Sequence, residues 1–286
     1  MARVVLGESR LRARKRKRRL LFGGSIFFVS VFVVGGSVWL AHASFLRIIT
    51  VAISGTATVP PGAIQSAVEQ DIAGAYVWVY PKNNILLYPK STIQSHLLTQ
   101  FPTLKTADVH LENLHTVAVA VLERQPTALW CPATDSTGSP QAGSGQVVTS
   151  PACFLLDENG LAYAVAPDYS GDAYVKYSGT EAPDALPWQY LTLQTFHSLA
   201  ALVDAVAKKG GDARVSEVLS DANSDVHVKF ENGFELLFAL DDDTGQIFER
   251  FSLALGAAPF TVHPLGDLEY LDLRFGDKLY YKLKGQ

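Results

Sequence analysis

FPTLKTADVHLENLHTVAVAVLERQPTALW, residues 101–130, decides how the chain is divided. Phe101-Pro102 stops a helix, STIQSHLLTQF, which Pro89 opens and which carries Ile93, Leu97 and Leu98 on one side. Two strands are predicted next, Leu104 to Leu111 and Thr116 to Arg124. In the second, Val117, Val119 and Val121 lie on one face and Ala118, Ala120 and Leu122 on the other. The connector Glu112 to His115 is short enough for a hairpin. Pro126 then interrupts hydrogen bonding, and a second domain is expected to start at residue 127.

Working back toward the amino terminus, FLRIITVAISG (45–55) places Ile49, Val51 and Ile53 at period two, the signature of a strand with one buried face. Pro61 suits a helix first turn, and Ile64, Ala67, Val68 and Ile72 follow at helical spacing. Asn83 to Tyr88 reads as an extended connector. The order over residues 45–126 is therefore strand, helix, helix, strand, strand.

Before this lies LLFGGSIFFVSVFVVGGSVWLAHA (20–43), without Asp, Glu, Lys or Arg. As a helix it would span ~36 Å, enough for a hydrocarbon layer of ~30 Å. Residues 1–19 hold nine Lys or Arg against Glu8 alone, so the positive-inside rule makes this basic tail cytoplasmic and puts everything after Ser44 outside. Ala41-His42-Ala43 also has the small-x-small form of a signal-peptidase site, but an h-region of ~7–15 residues is shorter than this segment. The basic run serves as an orientation signal or, alternatively, a nucleic-acid patch. The overall formal charge of -4 makes the remainder acidic, which disfavours phosphate binding there.

Toward the carboxyl terminus, Cys131 and Cys153 bracket an insert (131–153) rich in Ser, Thr, Gly, Pro and Ala. Outside the membrane the pair can form a disulfide at the base of a loop; two buried free thiols are the alternative. CFLLDENGLAYAV and VHVKFENGFELLF set Asn159-Gly160 and Asn232-Gly233 between apolar runs, the composition of tight hairpins. Most of Trp188 to Lys209 is expected to be helical, as is Thr244 to Leu255. The tail LEYLDLRFGDKLYYKLK alternates around Leu271, Leu273 and Phe275, with a kink or bulge at Gly276-Asp277 before Lys278 to Lys282. The fold class is α+β: a membrane helix, a β-α-α-β-β domain, and a mixed antiparallel β domain with helices over 127–286.

Catalytic chemistry finds little purchase. The seven histidines are scattered, with none paired on one helix face. Gly143-Ser144-Gly145 lacks the spacing of a nucleophile elbow. Asp241-Asp242-Asp243 precedes a helix, where negative charge caps the N-terminus, although an oxygen-rich cation site is the other reading. No catalytic residue, cofactor, metal site or small-molecule substrate is expected. The remaining candidate is an edge strand over Phe275, Gly276, Asp277, Lys278, Leu279, Tyr280, Tyr281 and Lys282, able to add a partner segment or only to complete its own sheet.

These residues together resemble the FtsQ/DivIB family of bacterial division proteins over nearly the whole chain. The basic tail and anchor, the residue 45–126 region that is similar to a POTRA domain, Glu123-Arg124-Gln125-Pro126, the CFLLDENG hairpin, and Tyr270, Asp272, Arg274 and Phe275 carry the resemblance. It implies a non-enzymatic, single-pass scaffold in the inner (plasma) membrane, enriched at the septum, that binds FtsB-like and FtsL-like partners and helps regulate septal peptidoglycan synthesis. It also implies that an FtsB-like strand adds near Phe275 to Lys282. The cysteine-bracketed insert departs from the family pattern. An envelope transport or assembly module with POTRA-like units is the alternative. An anchored envelope hydrolase would need a nucleophile and base cluster not found in the sequence.

Overall fold

The structure, a computed structural model, describes residues 8–133, 153–167, 173–179, 183–211 and 213–285. Most of the 131–153 insert, Gly143-Ser144-Gly145 and the first seven residues of the basic tail lie outside the described residues. The chain divides into two compact units, Met1–Glu123 and Arg124–Gln286.

Helix α1 runs without a break from Glu8 to Ala41, so the tail is helical from Glu8 onward and the apolar segment ends its helix before His42. Within it, Leu21–Ala41 is long and apolar enough to cross a membrane, with a mean hydropathy of 2.0; nearly all of it is exposed, and Ala41 at its end is buried.

After α1 come β1 (Thr50–Ser54), α2 (Pro61–Ile72), a short ribbon of β2 (Ala75–Tyr76) and β3 (Tyr80–Pro81), α3 (Lys90–Gln100), β4 (Leu104–Leu111) and β5 (Thr116–Glu123). Strand β5 is central, parallel to β1 and antiparallel to β4. Its alternation works as read: Val117, Val119 and Val121 face inward and pack with Ile64, Val68, Ile93 and Leu97 of the two helices. The expected order holds, with the β2–β3 ribbon inserted between the helices.

Two local readings need correction. Strand β1 starts only at Thr50, and Ile49 is exposed while Leu46 and Ile48 are buried. A 3-10 turn over Ser44–Leu46 and the hydrogen bond from Ile48 N–H to the Asn83 carbonyl shift the inward face ahead of the strand. Asn83 to Tyr88 is a turn rather than an extended connector. The buried Asn84 carbonyl accepts from both Leu87 and Tyr88, and the Asn84 side chain accepts from Leu86 N–H.

The second unit begins with β6 (Ala128–Trp130), β7 (Phe154–Leu156), β8 (Leu161–Val165), β9 (Lys176–Ser178), β10 (Trp188–Gln189) and α4 (Leu193–Lys209). It continues through β11 (Val215–Ser220), β12 (Asp225–Phe230), β13 (Glu235–Ala239), α5 (Thr244–Leu255), β14 (Leu268–Phe275) and β15 (Lys278–Leu283). Ten strands form one sheet in the order β10-β8-β7-β6-β9-β11-β12-β13-β14-β15. Both Asn-Gly dipeptides lie where antiparallel neighbours are joined, β7 to β8 and β12 to β13.

The sheet is mixed, not simply antiparallel: β6 with β9, β9 with β11 and β13 with β14 are parallel pairs. Helices explain the last two. A helix between adjacent strands carries the chain back across the sheet face, so the next strand enters in the same direction. Helix α4 does this between β9 and β11, and α5 between β13 and β14. Phe196, Leu199 and Val203 of α4 and Ile247 and Phe251 of α5 share one core with Val218, Val228, Leu236 and Leu271. Helix α4 takes up most of Trp188 to Lys209, as expected; it starts at Leu193 because Trp188-Gln189 pairs with β8 and Thr192 caps the helix, its side chain accepting from Thr195 N–H at 3.3 Å.

Cys131 and Cys153 are disulfide-bonded, closing the ends of β6 and β7 where those strands pair. Asp243 caps α5 by accepting from Gln246 N–H at 2.9 Å, while Asp242 pairs with Arg250 at 3.1 Å. Two of the three consecutive aspartates therefore serve the helix. No group of three or more His, Cys, Asp or Glu able to hold a metal is present among the described residues.

Candidate partner-binding edge

Strand β15 is the last strand of the sheet and pairs with β14 alone, so its opposite edge has no strand partner among the described residues. Such an edge presents N–H and C=O groups in a row, ready to pair with another chain. Gly276-Asp277 is a reversal between two antiparallel strands, with Phe275 opposite Lys278, rather than a kink within one strand. Gly276 has φ 61, a conformation that costs glycine nothing and other residues a clash. A register irregularity does occur, between Asp272 and Phe275.

The side chains of this hairpin separate by role. Leu279 packs partly into the core. Tyr281 lies opposite the buried Leu271 and against the Phe260 ring, at 5.0 Å between centroids in an edge-to-face contact. Tyr280 meets Phe275 edge to face at 5.1 Å, and both remain about half exposed. Lys282 pairs with Glu269 across the ladder at 2.7 Å. Gly276, Asp277 and Lys278 are exposed at the turn. The edge is thus rimmed by Phe275 and Tyr280 on one face of the sheet and Tyr281 on the other, with apolar area open to solvent beside backbone that has no strand partner among the described residues.

Charged groups fix the rim from behind. The Arg274 guanidinium donates to both Asp272 and Asp225, and its carbon stands 5.6 Å over the Phe275 ring. Burial works against the Asp272 carboxylate, but the side-chain and backbone bonds from Arg274 outweigh it and lower its pKa. Arg250 of α5 donates to the carbonyls of Leu273 and Gly276, each at 3.0 Å, tying the hairpin turn to the helix. Between α5 and β15 lies a groove of about 380 Å³ lined by Leu253, Ala257, Leu273 and Leu279, and Leu253 is exposed at its margin.

No model of a known protein family and no curated protein matches the chain.

The sequence reading named the rim residues but missed Arg250, Asp225 and Phe260, which hold them. Asp225 stands 49 positions before Arg274, so no local pattern links the two. The residues Glu123 and Arg124, noted for their motif, also turn out to clamp structure. Glu123 accepts from Ala57, Thr58 and Val59 in the first unit. Arg124 pairs with the fully buried Asp157 in the second. Asp157 in turn accepts from Asn159 N–H and Leu161 N–H, shaping the β7–β8 turn.

Proposed function

We propose that this chain is a single-pass scaffold of the bacterial division machinery, which holds its two folded units outside the inner (plasma) membrane and captures a partner strand along β15. The observation that carries the reading is the outer edge of β15, which has no strand partner among the described residues, with Phe275, Tyr280 and Tyr281 exposed beside it. Main-chain hydrogen bonds to that edge would give affinity, and the aromatic rim and the α5 groove would select the incoming side chains. The partner expected there is an FtsB-like single-pass protein, bound together with an FtsL-like one, and the outcome is regulation of septal peptidoglycan synthesis rather than catalysis. The strand-helix-helix-strand-strand unit after the anchor, read as POTRA-like, would recruit the chain to the septum.

An envelope transport or assembly module is the competing reading. It has less support, because a barrel following the first unit would need its sheet closed on itself, whereas the ten-stranded order ends at β10 and β15, which do not pair.

A fluorescently tagged full chain in dividing bacteria tests the proposal. Concentration at midcell during constriction is expected. For Phe275→Ala/Tyr280→Ala, the chain should still reach midcell but fail to retain the FtsB-like partner there. Uniform membrane fluorescence throughout the cycle would reject the division role.

A further inference from the structure

The β2–β3 ribbon is built against local preference. Val77 and Trp78 have φ 48 and 62, and Val79 N–H donates to the Tyr76 carbonyl, as in a turn that requires positive φ at both central positions. Asn-Gly is the usual occupant of that site; a β-branched residue there is strained. Nothing in the described chain compensates, since Val77 is 85% and Trp78 98% exposed. A strained turn that holds an apolar pair clear of its own protein is placed to meet something else.

Its location says what. The Tyr80 hydroxyl is hydrogen-bonded to Ser37 Oγ of α1 at 2.9 Å, and the buried Asn84 amide donates to the Ala41 carbonyl at the end of the same helix at 2.9 Å. Two bonds therefore fix the 80–84 segment beside the last turns of the apolar stretch Leu21–Ala41. Ser37 lies four residues before Ala41, or ~6 Å along the axis. Trp78 is two residues from Tyr80, so its Cα lies no more than ~7 Å away in any direction. Even a ribbon pointing straight away from the membrane would leave Trp78 near the boundary of the hydrocarbon layer. The surroundings agree: an apolar groove lined by Leu40, Ala41, Tyr80 and Leu86 runs beside the helix end, and the Lys82 ammonium stands 5.6 Å over the Tyr76 ring.

We infer that the Ala75–Pro81 ribbon is a second membrane contact, with Trp78 and Val77 seated in the interfacial zone of the outer leaflet and Lys82 level with the lipid phosphates. Trp and Tyr favour that zone because the ring is apolar and its polar edge stays wet. A contact beside the anchor would hold the first unit against the bilayer instead of letting it swing on a single helix.

The inference rests on reading α1 as a membrane span, and the experiment separates the two. Among the described residues both cysteines are consumed by the disulfide, so one introduced thiol can carry a nitroxide. Full chains bearing Trp78→Cys, Phe32→Cys or Gln100→Cys are labelled and reconstituted in vesicles of phosphatidylcholine and phosphatidylglycerol. Accessibility to oxygen and to a water-soluble nickel complex then reports depth. The expected result is a deep label at 32, an aqueous one at 100, and at 78 an interfacial label whose nickel accessibility falls several-fold below that at 100. A label at 78 as nickel-accessible as that at 100, with 32 still deep, overturns the ribbon contact alone. An aqueous label at 32 overturns the span, and the inference with it.

Discussion

Glu123→Gln should loosen the first unit while leaving the second as it is. The alternation of β5 puts residues 117, 119, 121 and 123 on the inward face, so a carboxylate follows three valines into the core edge and is only 6% exposed. It survives there because the β1–α2 loop turns its donors inward: Ala57, Thr58 and Val59 offer backbone N–H groups at 2.7–3.0 Å, joined by the Thr58 hydroxyl. Gly55 makes the approach possible, since at its φ of 87 a Cβ would stand 2.0 Å from the Val121 carbonyl oxygen. Burial opposes the charge, but the bonds from the Thr58 hydroxyl and the Val59, Ala57 and Thr58 backbone outweigh it and hold the carboxyl at about 2 instead of its ordinary 4.5.

That drop corresponds to ~3.4 kcal/mol at ~1.36 kcal/mol for each pH unit. The amide of Gln keeps one acceptor and water reaches part of the loop, so the expected loss is about 2–3 kcal/mol. The folded value is depressed, so the contribution is complete above pH 4.5 and disappears as pH falls toward 2. The gap between wild type and Glu123→Gln should therefore shrink to less than half its neutral value by about pH 3. Hydrogen exchange on the detergent-solubilised full chain reads this in β1, α2 and β5, with amides of β11 to β13 as internal reference. A loss below ~0.5 kcal/mol at neutral pH, or a gap unchanged at about pH 3, would refute the reasoning.

Other consequences follow from the second unit. Arg274→Ala leaves Asp272 buried without its guanidinium and should cost about 2–3 kcal/mol in denaturant unfolding, while loosening Phe275 on the rim; a cost under ~0.5 kcal/mol would argue that the Asp225–Arg274–Asp272 cluster is idle. Cys131→Ser/Cys153→Ser opens a closed loop of 22-residue separation and should destabilise the second unit by ~3 kcal/mol, measured by the same unfolding curve with and without reductant, which should affect only the wild type. His227 donates to Glu235 at 2.9 Å, and this bond raises the His227 pKa against the opposing effect of burial. The stabilisation carried by the His227 proton is present below pH 6.5 as long as Glu235, whose own pKa the same bond lowers, stays ionised, and it is lost as pH rises through the higher folded His227 value, so an NMR titration should place the His227 midpoint above 6.5 and Glu235→Gln should bring it down.

Much of this architecture was readable from local pattern. The spacing of Ile64, Ala67, Val68 and Ile72 marks the buried face of α2, and the Asn-Gly dipeptides mark both hairpins, because a period of 3.6 and a positive φ are local demands. What escaped depends on distance or brevity. The strands β6, β7, β9 and β10 have two or three residues each, too few to display a period, and the parallel pairings of β9 with β11 and of β13 with β14 are set by helix crossovers. The donors that retain Glu123 lie 64–66 positions away. The Val77-Trp78 turn carries no turn chemistry at all, so the ribbon was invisible until its backbone could be seen. At the rim, the aromatic residues were legible as an alternating tail, whereas Arg250 and Asp225, which position them, come from α5 and β12.

Backbone exchange along β15 tests the central claim most directly. With an FtsB-like extracytoplasmic segment added to the full chain, amides within Lys278–Leu283 that point away from β14 should slow markedly, while those already bonded to β14 change little. Binding without any slowing in β15, or with protection appearing instead at β10 on the opposite end of the sheet, would contradict it.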